Sequence, residues 1–399
     1  MKSTSITTPE SSAALPKVAL VYDRLNSSGG AEKVLIELQK LYPDAPLYTS
    51  VFDADRTPWL APGSQVHTSW LQYVPGARRR HQWFGWLMPF LFELFDFSAF
   101  DIVISVSSEA AKGILTQPHQ LHVNYLLTPT RYLWSHQEEY VQQVPFFFQP
   151  LMRAVIAWLQ RWDRVAAQRP DVMIPISRVV QERAQQYYGR QTEPPLYPPV
   201  SLAAQATAPA NESKLPQKFF FTWGRHVAYK QFDTVIRAVA AVRGSLIIAG
   251  EGPQTAALQS LAEQVFGAAD NIFVGKITDE ELRWYLEHAE ATVFPQEEDF
   301  GIVMLESVLA GCPVIANEKS GATELLTSKD AVFLPDSSVE SVVSALHEIG
   351  NNSWERLDIQ RRARQYAGVR FSQEWKRQLE GHWEKHTQAL QTGVKGNYE

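Results

Sequence analysis

Short apolar runs recur along this chain, each closed by glycine, serine or proline and followed by a stretch with helical periodicity. In the first half the runs are Lys17-Val-Ala-Leu-Val-Tyr-Asp23, Asp101 to Val106, Leu121 to Leu127, and residues 171 to 176, after which Ser177 caps a helix. Continuous apolar runs of this length predict strands covered on both faces, as in a parallel sheet. A second series begins with Phe219-Phe-Phe-Thr222. It continues through Ser245 to Ala249, Ile272 to Val274, Ala291 to Phe294 and Pro313 to Ala316, and ends near Val332-Phe-Leu334. Between the two series, from Thr192 to about Pro216, periodicity disappears and Pro194-Pro195 and Pro198-Pro199 appear. Such a stretch reads as a linker. The pattern predicts an α/β protein of two Rossmann-like domains facing a cleft. The expected bounds are a disordered Ser/Thr/Ala-rich N-terminus at 1–14, a first domain at 15–195, a linker at 196–216 and a second domain at 217–370. A last helix at 371–390 and a tail at 391–399 complete the chain.

Composition narrows the function classes. At 399 residues the chain exceeds the size at which one core stops growing. Apolar residues make up 45% and charged residues 20%, as in an ordinary globular protein. The net charge of −6 gives no reason to expect nucleic acid as a partner. Cys312 is the single cysteine, which excludes an intrachain disulfide and a thiolate zinc cluster. Its place at a helix–strand junction suits small-residue packing, and the cysteine usage fits a reducing compartment. No basic head with an apolar core opens the chain, so a cytoplasmic location is expected.

The segment Pro295-Gln-Glu-Glu298-Asp-Phe-Gly301-Ile-Val-Met-Leu-Glu306 carries the chemistry. It follows a predicted strand as a loop and becomes a helix from Ile302 to Ala310 that Gly311 stops. Glu298 falls in the loop, where ligands of parallel sheets bind, and Glu306 stands one turn into an apolar helix. A carboxylate in such surroundings needs donors, and the paired hydroxyls of a sugar or ribose are suitable ones. Glu-Asp-Phe-Gly-Ile-Val-Met-Leu-Glu with Gly311-Cys-Pro-Val-Ile315 resembles the E-x7-E signature of family 4 retaining glycosyltransferases. The resemblance implies the GT-B arrangement, with the last helix crossing back onto the first domain. It gives the first domain the acceptor and the second the nucleotide sugar. Glu306 is then expected at the ribose hydroxyls, and Glu298 at the transferred sugar with Phe300, Gly301 and Ile302 beside it.

Trp223-Gly224-Arg225-His-Val-Ala-Tyr-Lys230 places a glycine turn and two cations at a strand end. Cations that hold a departing diphosphate more tightly as its charge grows lower the barrier. By the same resemblance Gly224, Arg225 and Lys230 form the diphosphate site, and Arg225, Lys230 and Glu298 are the expected catalytic residues. Gly29-Gly30, between the first strand and its helix, matches the first-domain loop under the diphosphate. Ala249-Gly-Glu-Gly-Pro253 is given a supporting turn role, and Val274-Gly-Lys-Ile277 backbone contacts to the base. The two cations do the neutralising, so no metal and no cofactor are expected.

Thr128-Pro129-Thr130-Arg131-Tyr132-Leu133-Trp134 is similar to the acceptor loop of a mannosyltransferase-like branch that builds lipid-linked and exported polysaccharides. Thr128, Arg131 and Trp134 are the acceptor-side candidates. Ser108 and Lys112 join them, a helix-capping role being equally open for that pair. Many members of the branch have a histidine where this chain has Leu127. His122 falls on the opposite face of its strand, and His136 is either a substitute for that histidine or an ordinary loop histidine. Residues 78 to 95 combine three arginines with tryptophans and phenylalanines. They suit an interfacial segment on anionic lipid or a helix buried against the first sheet. Pro89 and Glu93 make them unfit to span a bilayer. The expected function is transfer of a hexose, with mannose from GDP-mannose as first choice, to a hydroxyl of a glycan or lipid-linked glycan with retention. The alternative is an inactive sugar-nucleotide-binding scaffold or regulatory protein, for which Leu127 is the support.

Overall fold

The computed structural model describes residues 16–27, 29–142, 144–267, 271–366 and 369–392. The expected disordered N-terminus at 1–14 lies outside these residues, as does most of the expected tail at 391–399. The first sheet contains β1 (Val18–Tyr22), β2 (Leu47–Thr49), β3 (Val66–Thr68), β4 (Ile102–Ser107), β5 (Leu121–Leu126) and β6 (Val172–Pro175). The second contains β7 (Phe220–Trp223), β8 (Leu246–Ala249), β9 (Asn271–Gly275), β10 (Ala291–Phe294), β11 (Val314–Asn317) and β12 (Ala331–Leu334). Every pairing described is parallel. The orders are β3-β2-β1-β4-β5-β6 and β12-β11-β10-β7-β8-β9. In each sheet the order therefore reverses at one place, between β1 and β4 and between β10 and β7. A crevice opens at such a reversal, beyond the carboxyl ends of the strands. The loops that follow β1, β4, β7 and β10 all meet there.

Two strands have no counterpart in the sequence reading. β2 and β3 have three residues each, too few to establish any alternation. The pairing of β2 with β1 and of β3 with β2 decides them, together with the stacking of Tyr48 on His67 at 4.7 Å and the packing of Tyr48 against Phe95 and Phe97.

The last helix, Val369–Thr392, crosses back onto the first domain. Phe371 and Trp375, one turn apart, bury their rings against Tyr125 of β5. The Trp375 indole donates to the Tyr42 hydroxyl at 3.2 Å, and the Ser372 hydroxyl donates to Glu37 at 3.3 Å. Burying two such aromatics stabilises the crossing by roughly 3–6 kcal/mol before ordering costs. The core that results is shared: Tyr125, Phe294, Phe300, Phe371 and Trp375 belong to one apolar cluster.

The domains are also clasped by polar groups at the cleft. The Asp299 carboxylate pairs with Arg131 and Arg183 of the first domain. The Asp299 carbonyl accepts from the Ser177 hydroxyl at 2.5 Å. Ser177 caps the helix Arg178–Tyr188, and Glu324 of the second domain accepts from the backbone N–H groups of Arg178 (2.8 Å) and Val179 (3.2 Å). A carboxylate at a helix N-terminus meets unpaired donors and the positive end of the helix dipole.

Residues 78–95 divide into buried and exposed side chains. Met88, Pro89, Leu91 and Phe92 are buried beneath the first sheet, while Trp83, Trp86, Phe90 and Leu94 stay exposed. Among the described residues no helix is long and apolar enough to cross a membrane.

Candidate active site

Two adjoining cavities occupy the cleft. The first, of about 720 Å3, lies between the domains and the second, of about 1180 Å3, lies over the ends of β7, β8 and β9. Gly30, Ser108, Leu127, Thr128 and Arg131 of the first domain border the first cavity. So do Arg225, Lys230, Glu298, Phe300, Gly301 and Ile302 of the second. Gly224, Gly250, Glu251, Gly252, Lys276 and Ile277 border the second cavity, with Arg225 again.

Backbone conformation sets the loop positions. Gly301 caps the helix Ile302–Leu309 at φ +96, a region that side chains disfavour. That turn lets the chain leave β10 sharply and present Glu298 inward. Gly250 sits at φ +111, and a Cβ there would lie 2.0 Å from the Gly224 carbonyl oxygen. The turn after β8 thus packs backbone to backbone against the loop that carries Arg225. Across the cleft, a Cβ on Gly30 would approach the Ile302 side chain to 3.0 Å. The Gly-Gly loop is therefore pressed against the start of the glutamate helix.

The charges of the cavity are paired across short distances. Glu298 is 8% exposed and forms an ion pair with Lys230, and Gln296 donates to its carboxylate at 3.1 Å. Burial pushes the Glu298 carboxyl up, but Lys230 and then Arg131 outweigh it and leave it below its ordinary value. Glu306 is 4% exposed and pairs with Lys33 of the first domain. Its burial prevails over Lys33, so its carboxyl is raised. Arg225 makes no ion pair among the described residues.

Several expected residues stand apart from the cavity walls. Glu306 lies one turn below Ile302 and Val303, with its carboxylate held by Lys33 rather than open to the cleft. Gly29 precedes the wall residue Gly30 without bordering the space itself. Lys112 is fully buried, away from either cavity, and its ammonium is 2.6 Å from the Asp163 carboxylate. Trp134 likewise points inward, its indole donating to Asp163 at 2.8 Å while its ring stacks on Tyr187. These two residues do not reach the acceptor space, because burying Asp163 requires every donor within range. Arg131 does border the cavity, but its guanidinium also holds Asp299. The turn after β4 is held by Asp23, which accepts from the backbone N–H groups of Ser108 (2.6 Å), Glu109 (2.9 Å) and Ala111 (2.8 Å). His122 bonds the Ser105 hydroxyl at 2.7 Å, inside the first sheet.

The structure adds wall residues that the sequence reading missed. Arg24, directly beyond β1, pairs with Glu109, and His81 comes from the arginine-rich segment. Arg24 lies at the end of an apolar strand, a position the topology could have flagged. Nothing in the sequence spacing placed His81 at the cleft.

Arg225, which has no ion-pair partner among the described residues, and the Lys230–Glu298 pair thus border one space between the domains. Residues 205–366 match the family described as Glycosyl transferases group 1. That match covers most of the second domain. The two domains together have the GT-B fold. Over 92% of this chain it superposes on all of the sucrose-phosphate synthase of Thermosynechococcus elongatus with a TM-score of 0.70 at 14% identity. It also superposes on Anabaena Alr3699/HepE in complex with UDP and glucose, with a TM-score of 0.66 at 18% identity, covering 92% of this chain and all of that one. Among curated relatives, the GDP-mannose-dependent alpha-(1-6)-phosphatidylinositol monomannoside mannosyltransferase of Mycobacterium tuberculosis is 34% identical over 142 residues. That stretch is 31% of this chain and 36% of the relative, so the match spans about a third of the relative's length.

Proposed function

We propose that this glycosyl transferase moves a hexose from a nucleoside diphosphate sugar to a hydroxyl of a glycan or lipid-linked glycan, with retention of configuration. The carrying observation is the cleft itself: Arg225, without a carboxylate partner among the described residues, beside the Lys230–Glu298 pair, at the point where both sheets reverse their order. In this reading the nucleoside lies in the second cavity, over Gly250–Gly252 and Lys276, and the sugar lies in the first. Arg225 and Lys230 take up the charge that grows on the departing diphosphate. Each well-placed donor of that kind contributes roughly 3–4 kcal/mol to the transition state. Glu298, kept ionised by Lys230, accepts from hydroxyls of the transferred sugar. No covalent nucleophile is assigned, and the acceptor attacks on the face the diphosphate leaves, its proton passing to the departing phosphate oxygen. Glu306 receives the ribose hydroxyls once Lys33 gives way.

Mannose from GDP-mannose is the first choice of donor, supported by the mycobacterial relative. The UDP and glucose bound by the Anabaena protein favour testing uridine nucleotides beside guanosine ones. A lipid-linked acceptor is supported by the wall of the first cavity, where Met152, Val155, Ile156 and Leu159 form one face of the helix Gln149–Ala166. The next face of the same helix exposes Leu151 and Trp158, and Trp158 stacks on the exposed Phe90 at 5.9 Å. With Trp83, Trp86 and Arg78–Arg80 this surface suits peripheral contact with an anionic membrane face on the cytoplasmic side.

A thermal-shift panel of GDP, UDP, ADP and their sugar conjugates tests the reading. One base should stabilise the protein, by roughly 2.7 kcal/mol at a hundredfold excess over its dissociation constant. That stabilisation should fall in Glu306→Ala, and turnover should disappear in Arg225→Ala. A panel with no stabilisation by any nucleotide would overturn it.

A further inference from the structure

Four residues border both cavities: Arg24, Ser27, His81 and Arg225. They form the neck through which a ligand spanning the two spaces must pass. Three of them have clear electrostatic roles. Arg24 is paired with Glu109, the Ser27 hydroxyl donates to Glu32 at 3.2 Å, and Arg225 is unpaired among the described residues. His81 is the fourth, and its ring is fixed.

The Asn26 amide nitrogen donates to the Arg78 carbonyl at 2.7 Å and lies 2.8 Å from His81 Nδ1. An amide nitrogen only donates, and turning the amide round would set its oxygen against the Arg78 carbonyl. His81 Nδ1 is therefore the acceptor, and the ring proton sits on Nε2. Nε2 is buried and has no partner among the described residues, in a side chain only 7% exposed. Buried polar groups are nearly always bonded, so an unpartnered one on a side chain that borders two cavities is suited to a ligand atom. Burial, with Arg24 and Arg225 nearby, holds the imidazole neutral by bringing its pKa down to about 3. The group offered at the neck is thus a single neutral N–H donor beside an unpaired guanidinium. It calls for an anionic ligand rich in acceptors.

We propose that His81 Nε2–H donates a hydrogen bond to the diphosphate of the nucleotide donor, which crosses the neck beside Arg225. The assignment rests on the nucleotide-sugar reading above. It places an imidazole donor at the reacting end of the nucleotide from a segment distant from Leu127, whose side chain on the same cavity can donate nothing. Asn26 is the positioning residue that sets the tautomer.

Isothermal titration of the full chain tests this with the nucleoside diphosphate chosen by the panel and with the corresponding nucleoside. His81→Leu should weaken diphosphate binding about tenfold to a hundredfold, as expected for a bond to a charged acceptor, and leave nucleoside binding unchanged. His81→Gln, whose amide nitrogen reaches a similar point, should return affinity to within about threefold of the parent. Asn26→Ala should cost several-fold without touching His81 itself. Diphosphate affinity within twofold of the parent in both His81→Leu and Asn26→Ala would overturn the proposal while leaving the nucleotide-sugar reading intact. Equal loss for nucleoside and diphosphate, with no return in His81→Gln, would also overturn it by assigning His81 a structural role. A parent protein that binds none of the nucleotides would instead overturn the broader reading.

Discussion

Lys112 gives the sharpest separation between a structural and a catalytic role. Its ammonium and the Asp163 carboxylate are both fully buried at 2.6 Å. Asp163 is further held by the Trp134 indole at 2.8 Å and the Tyr188 hydroxyl at 2.9 Å, and Lys112 also donates to the Glu109 carbonyl. Lys112→Met fills the same volume but leaves the Asp163 charge in an apolar interior with three neutral donors, the Thr130 hydroxyl at 3.4 Å being the third. Removing one partner of a buried pair costs about 3–5 kcal/mol, most of it from the stranded charge. For a domain of this size each kcal/mol moves the melting temperature by about 2–4 °C, so the expected loss is roughly 6–20 °C. Calorimetry and urea unfolding of the first-domain transition read it directly. A second substitution, Asp163→Asn in the same chain, removes the stranded charge and keeps an acceptor for Trp134 and Tyr188. It should return about 1–3 kcal/mol, the size of coupling expected for contacting residues. A melting temperature within 2 °C of the parent, with transfer to acceptor abolished, would refute this reasoning and return Lys112 to the acceptor site.

Other expectations follow from the cleft. Because the native Glu298 carboxyl lies below its ordinary value, it contributes stability above about pH 4.5 that is lost as pH falls through the native value. In Lys230→Met burial prevails, so stability should instead rise as pH falls from 7 toward 5; unfolding free energies at those pH values check the sign. Gly250→Ala should cost about 1–3 kcal/mol and weaken nucleotide binding, since its Cβ would displace the Gly224 carbonyl and with it Arg225. Thermal melts and the nucleotide panel measure both, and an unchanged melt would refute the packing argument. Asp299→Asn should loosen the clasp to Arg131 and Arg183 and enlarge the radius of gyration seen by small-angle scattering. An unchanged radius would show that the shared apolar core alone holds the domains.

The linear chain determined those features that depend on local pattern. Most strands were legible because fully covered strands read as unbroken apolar runs, as in Ile102–Ser107 and Leu246–Ala249. The loop-to-helix change from Pro295 to Glu306 was legible too, because Gly301 and the apolar run after it are local signals. The three-residue strands β2 and β3 were not, since their conformation comes from pairing, β2 with β1 and β3 with β2, rather than from their own composition. The family resemblance also marked Lys112 and Trp134 as acceptor-side candidates, and only packing around Asp163 showed where their polar groups go. The partners of Glu306, Asp299 and His81 lie on Lys33, Arg131, Arg183 and Asn26. Those residues are separated along the chain by as little as 55 positions and as many as 273. Side chains that only the tertiary fold brings together, within a domain or across the cleft, leave no periodic trace in the sequence. Local pattern therefore set the elements and the motif, and the tertiary structure decided which charges face each other across the cleft.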